Sequence, residues 1–175
     1  MDVSVAAWVP VSGGTGGDVF RIDGVTGAVS LLATLPNHTM ALTGSCNYCL
    51  QDVSFTGLGN LSYSQRHNKV YVTNLDDGKI YGIDATTGAT LCTFDHGLMK
   101  PGIPQPDNAT LVYTQKNRMV FGIEWHPFAD RVYYAVRNAL DQDEVWSVGL
   151  DANGCIVNAT PCLEWVSQPY TALCV

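Results

Sequence analysis

The chain comprises 175 residues with a mass of 18.9 kDa, 46 % of them hydrophobic and 14 % charged, and its 16 acidic and nine basic residues leave a formal net charge of −7. This length accommodates one domain with a core of its own, and the acidity, with Lys and Arg scattered along the chain, argues against nucleic acid and anionic membrane surfaces as partners. No apolar run approaches the roughly 20 residues of a membrane-spanning helix, and abundant Gly, Thr, Ser and Asn without Lys- or Glu-rich periodic stretches point to an all-β chain with many turns.

The opening "MDVSVAAWVPVSGG" has neither the basic start nor the long apolar core of a secretion signal. The chain is therefore expected to be cytoplasmic, or to have an export signal that was removed or lies outside this sequence. "SGGTGGD", Ser12 to Asp18, lacks the Lys and the following helix of a phosphate-binding loop and reads as a flexible hairpin. "DVFRIDGVTGAVS", from Asp18, then runs from a charged residue through a β-branched and an aromatic one into a Gly turn at Gly27. A longer connection follows, carrying "CNYC" at Cys46 to Cys49.

The middle of the chain is the most legible. Val, Ile, Tyr and Thr alternate with polar residues over Leu58 to Tyr63, Lys69 to Thr73, Lys79 to Asp84 and Ala89 to Phe94, and "NLDDG" and "DATTG" supply Asn, Asp and Gly where positive φ is needed. Four short antiparallel strands are expected there. "GIEWHPFADRVYY" from Gly122 and "EVWSVGLDANGCI" from Glu144 predict a third set, and the tail "EWVSQPYTALCV" reads as the start of another strand.

These sets repeat. "NLSYSQRHNKVYV" from Asn60 aligns with "GIEWHPFADRVYY" without a gap, 62 residues on; Asn68 meets Asp130, and Val70-Tyr71 meets Val132-Tyr133. "KIYGIDATTGATL" from Lys79 follows "DVFRIDGVTGAVS" by 61 residues and precedes "EVWSVGLDANGCI" by 65. One strand–hairpin–strand–Gly turn–strand unit thus occurs three times, with approximate boundaries 1–56, 57–119 and 120–175 in a single module of 1–175. A recurring unit of four antiparallel strands predicts a β-propeller blade, whereas a sandwich predicts no such period.

"VYVTN" at Val70 to Asn74, followed by "GKIYGIDATTGATL", resembles the YVTN-type β-propeller repeat, related to NHL and quinoprotein-like blades. The likeness is close in the middle unit, partial in the third, where "VYYAVRN" stands for "VYVTN", and limited to the second half of the first. It implies a blade rather than an activity. About 2.8 such units fit in the chain, against roughly four to eight blades in a closed propeller, so a partial or open propeller is expected, either a fragment of a longer polypeptide or an arc completed by other copies.

Cys46, Cys49, Cys92, Cys155, Cys162 and Cys174 form an even set suited to disulfides in an oxidising compartment. The lone CxxC has no second pair or His at zinc spacing, no His after Cys49 for haem attachment and no βαβ context for thioredoxin-like chemistry, so a loop disulfide is expected. Cys155 and Cys162 flank the expected outer hairpin of the third unit and are plausible partners, which leaves Cys92 and Cys174 unassigned. Sequons at Asn37, Asn60, Asn108 and Asn158 exceed the one or two that composition alone would supply. Cysteines and sequons together favour an extracellular, N-glycosylated chain.

Acidic turns at Asp76 and Asp77, at Asp141, Asp143 and Glu144, and at Asp151 with Asn153 have oxygens suited to calcium, but none follows the twelve-residue calcium loop, and turn formation suffices to explain them. Apart from that secondary reading, no cofactor or metal is expected. Glu124 and His126, two apart on a predicted inner strand, would share a side and could share a proton; a His capping the turn is the simpler expectation. Tyr71, Tyr81, Tyr133, Tyr134, Trp125 and Trp146 recur with the repeat and are expected to pack between blades.

The expected function is that of an extracellular structural or adhesive module, binding other protein chains or copies of itself, with no catalytic residues assigned and no membrane insertion. The alternatives are an incomplete quinoprotein- or lactonase-type enzyme, which requires further ligands from additional blades, and a glycan-binding module, which requires clustered exposed aromatics.

Overall fold

A computed structural model describes residues 17–36, 58–74, 78–96, 119–137, 142–157 and 161–167. The described residues form ten β-strands and no helix, arranged as three open antiparallel sheets. The first pairs β1 (Asp18–Ile22) with β2 (Val29–Thr34). The second is the meander β3 (Leu58–Ser64), β4 (Lys69–Asn74), β5 (Lys79–Asp84) and β6 (Thr90–Asp95). The third repeats that order with β7 (Met119–His126), β8 (Arg131–Arg137), β9 (Asp143–Gly149) and β10 (Cys162–Val166).

The strands expected in the middle unit agree with β3 to β6 to within one residue at each end. The strand expected at the tail is present: Glu164 to Val166 complete β10, the outer strand of the third sheet, with Trp165 opposite Val145 and Val166 opposite Glu144 of β9. β9 and β10 form the outer hairpin of the third sheet; Cys155 lies in the Asp151 turn that leaves β9, just before a bridge between Leu150 and Ile156, and Cys162 opens β10.

Equivalence of the units extends to backbone detail. The inner hairpins of the second and third sheets both break register in their first strand, between Leu58 and Leu61 and between Val120 and Ile123. Both turn through a left-handed residue, Asn68 (φ 49°) and Asp130 (φ 48°), residue types whose short polar side chains tolerate that region. The third turn of each unit is built on an aspartate. Asp23 Oδ1 accepts hydrogen bonds from the backbone N–H of Val25 and Thr26 and from Thr26 Oγ1, and Asp84 Oδ1 accepts the same three from Thr86, Thr87 and Thr87 Oγ1. Asp151 Oδ1 does so with the amides of Asn153 and Cys155. Each turn closes through a Gly at φ between 70° and 76°, Gly27, Gly88 and Gly154, a conformation that a Cβ penalises.

The sheets pack face to face through two apolar seams. Val19 and Ala33 of the first sheet, with Leu35 just beyond β2, meet Val70, Val72, Tyr81 and Ile83 of the second. Tyr71, Ile80 and Phe94, on the opposite face of the second sheet, meet Val120, Ile123, Val132 and Tyr134 of the third. Side chains alternate across a strand, so β4 sends Val70 and Val72 one way and Tyr71 the other, and all six of its residues are buried. Each fully buried side chain of this size contributes about 1.5–3 kcal/mol.

Gly27 and Gly88 separate the two causes of glycine preference. Among the described residues no atom lies near enough to touch a Cβ at Gly27, whereas a Cβ at Gly88 would overlap the carbonyl oxygen of Leu32 in the neighbouring sheet. Gly27→Ala is therefore expected to cost about 1–2 kcal/mol, the left-handed penalty alone, and Gly88→Ala about 3–4 kcal/mol because the seam must open as well. Urea unfolding of the two variants checks the ordering.

Candidate functional site

The densest side-chain chemistry lies on the seam between the second and third sheets. At the turn end, His67 Nε2 and Asp130 Oδ1 are 2.8 Å apart, Trp125 Nε1 donates to the same oxygen at 3.1 Å, and Arg66 lies 3.4 Å from Asp130 Oδ2. An ionised carboxylate only accepts, so His67 Nε2 carries a proton and donates to it. Partial burial works against ionisation of Asp130, but the hydrogen bonds from His67 and Trp125 and the charges of His67 and Arg66 outweigh it, and its carboxyl titrates below the usual range.

Further along the seam, strand backbone is bonded to side chains of the opposite sheet. Ser62 Oγ accepts from Trp125 N–H at 2.8 Å, and Thr73 Oγ1, which accepts from Asn60 N–H, lies 3.0 Å from Phe121 O. Tyr71 donates its hydroxyl to Gly154 O at 2.7 Å, and Lys69 Nζ donates to Asn153 O, so one strand of the second sheet holds the aspartate turn of the third. Burial, reinforced by the negative charges of Asp130 and Asp151, pushes the Tyr71 phenol far up and keeps it a donor. Burial alone does the same to Tyr134, whose hydroxyl lies 2.9 Å from His96 Nδ1. His96 is itself buried, edge-on to the rings of Tyr134 and Trp146, and Trp146 Nε1 donates to the buried Glu144.

A disulfide between Cys92, on β6, and Cys155, in the Asp151 turn, closes the outer part of the seam with Cα atoms 5.9 Å apart. This corrects the pairing of Cys155 with Cys162 expected from their flanking positions. The Asp151 turn faces β6 of the neighbouring sheet, where Gly82, opposite Cys92 in register, leaves room for its sulfur. Cys162 lies exposed on β10, opposite Ser147, and has no disulfide partner among the described residues. Cys46, Cys49 and Cys174 lie outside the described residues.

Of the sequons, Asn60 is exposed on β3, its Oδ1 accepting from Leu61 N–H, while Asn37, Asn108 and Asn158 lie outside the described residues. Glu124 and His126 are both exposed on β7, and His126 Nδ1 accepts from Ala129 N–H at 3.1 Å, capping the turn as expected. Asp76, Asp77 and Asp141 fall outside the described residues. Among the described ones, no three His, Cys, Asp or Glu side chains converge as a metal-binding group. Five of the six repeating aromatics pack into the two seams; Tyr133 does not, and lies on the other face of the third sheet against His126.

His67, His96, Ser62 and Thr73 were not singled out as seam residues from the sequence. The signal lay in the period: His67 and Asp130, Ser62 and Trp125, and Cys92 and Cys155 are each 63 residues apart, about one repeat. No family model, curated protein or solved structure matches this chain.

Two outcomes follow for the seam. The Cys92–Cys155 bond closes a loop of 63 residues, so the double variant Cys92→Ala/Cys155→Ala is expected to lose about 3–4 kcal/mol, visible as a lower Tm in non-reducing calorimetry. Asp130 ionises more readily folded than unfolded, so its contribution is complete above the unfolded carboxylate value of 3.8 and disappears as pH falls through the lower folded value. Acid unfolding between about pH 4 and 2 should therefore be shallower in Asp130→Asn than in the unaltered chain.

Proposed function

We propose that the three sheets are blades of a β-propeller-type arc, and that the chain is a secreted structural or adhesive module whose role is to hold rigid surfaces for other proteins or for copies of itself. The observation that carries this reading is the repetition of the seam. Equivalent residues of successive units bury one another, side chains on the second seam are engaged across it, and a disulfide closes its outer part.

Such an assembly is stiff. Its inter-sheet chemistry, hydrogen bonds, an ion pair, a disulfide and packing, serves to hold the sheets together, which suits a scaffold whose variable turns meet partners. The disulfide also suits an oxidising compartment, and the exposed Asn60 sequon suits N-glycosylation.

Intact mass of the native polypeptide, non-reduced and measured before and after enzymatic removal of N-glycans, tests this. The expected result is a mass that falls on deglycosylation, with Asn60 among the converted sites, in material recovered outside the cell. A sugar-free polypeptide retained in the cytosol with Cys92 and Cys155 reduced would overturn the reading.

A further inference from the structure

The three units present the same pair of faces, and two of these faces lack a cover among the described residues. On the forward face, Val19–Ala33, Ile80–Phe94 and Val145–Trp165 are cross-strand partners at equivalent positions of the three sheets. The first two pairs are buried by the sheet that follows. The third is bare, Trp165 being 54 % exposed where Phe94 is 1 % exposed. β8 agrees: its even-numbered residues Val132, Tyr134 and Val136 are buried against the second sheet and its odd-numbered Tyr133 and Ala135 stand half open, whereas β4 is buried throughout.

The rear face shows the converse. Tyr81 and Ile83 of β5 lie in the seam with the first sheet, and Trp146 and Val148, their equivalents on β9, lie in the seam with the second. Phe20 and Ile22 of β1 occupy the same positions and are only half-buried. The turns follow suit: His67 presses on Gly154 and Leu32 on Gly88, while no described residue covers Gly27.

We infer that the bare forward face of the third sheet binds the bare rear face of the first sheet in a second copy of this chain. The inference rests on the module reading above and names its partner. The occupant is specified by the seams already present, because the forward faces of the first and second sheets are each covered by the rear face of the next unit and the two bare faces carry residues equivalent to those in the seams. The polar contacts transfer as well. Lys69 and Tyr71 reach the carbonyls of Asn153 and Gly154 in the next turn; Arg131 and Tyr133 stand in their places on β8, and the turn they would meet is that of Thr26 and Gly27. Arg131 is already aimed by Ser147 Oγ, which accepts from its Nε and terminal nitrogen at 3.1 and 2.8 Å. Two different faces meet, so the association is head-to-tail and extends beyond a dimer, as a ring if the rotation closes and a filament if it does not.

Light scattering across a concentration series of the full chain and two variants tests this. Val145→Glu disables the forward face and Phe20→Glu the rear one. The unaltered chain should grow in mass with concentration and each variant should stay a single chain, while an equimolar mixture should form a dimer and nothing larger, since it retains one good forward and one good rear face. A non-reducing peptide map showing the Cys92–Cys155 bond verifies the fold of each variant. Should a glutamate variant fail to fold, Tyr133→Phe provides the second reading, with an expected three- to tenfold weaker self-association and unchanged unfolding. A chain that stays folded and monomeric at all concentrations overturns the inference, as does a variant mixture that does not dimerise. A secreted, glycosylated yet monomeric chain would separate this failure from that of the module reading.

Discussion

Burial of the middle sheet on both faces is the constraint on which the rest of the structure depends. β4 has no face left for solvent, so its apolar residues alternate between two cores and the sheet is complete only when both neighbours are present. Ordering each residue costs about 1–2 kcal/mol of backbone entropy, and a four-stranded sheet exposed on either side would forfeit half of the apolar burial that offsets it. Stability in this chain is therefore a property of adjacent pairs of sheets, as in other repeat architectures where each unit chiefly contacts its neighbours.

Apolar packing alone would let the sheets slide. The polar contacts on the second seam select one register, since each joins groups that satisfy one another only in that alignment: Ser62 with the Trp125 amide, Tyr71 with the Gly154 carbonyl, His67 with Asp130. Leaving the buried Tyr71 hydroxyl unpaired costs about 1–3 kcal/mol and the part-buried groups less, which penalises a shifted arrangement more than it rewards the native one. His96 and Glu144 show the same economy: the buried imidazole meets the Tyr134 hydroxyl on β8, and the buried carboxylate accepts from Trp146 Nε1 two residues along its own strand.

Strand positions were legible because alternation and turn chemistry are local. Asp84 through Gly88 name their own turn, and Val70, Val72, Ile80 and Ile83 name their faces. The repeat extended this to the third unit. What pairs across the seam was not legible from any one unit, because His67 and Asp130 are unremarkable turn residues until two units are superposed one period apart. The cysteines show the limit clearly. Cys155 and Cys162 are near neighbours in the chain, yet the aspartate turn aims Cys155 at the adjacent sheet, a direction set by sheet packing that no single-unit pattern contains.

The Cys92–Cys155 bond has a mechanical meaning. It ties the outer strand of the second sheet to the turn beyond β9, so β7, β8 and β9 all lie inside a covalent loop. Tension arriving along the polypeptide from either side crosses directly between the two sulfurs, and roughly 200 Å of potential extension is withheld from it. Under load the third sheet can surrender only β10, while its three remaining strands stay unstretched beside the sheet that covers them.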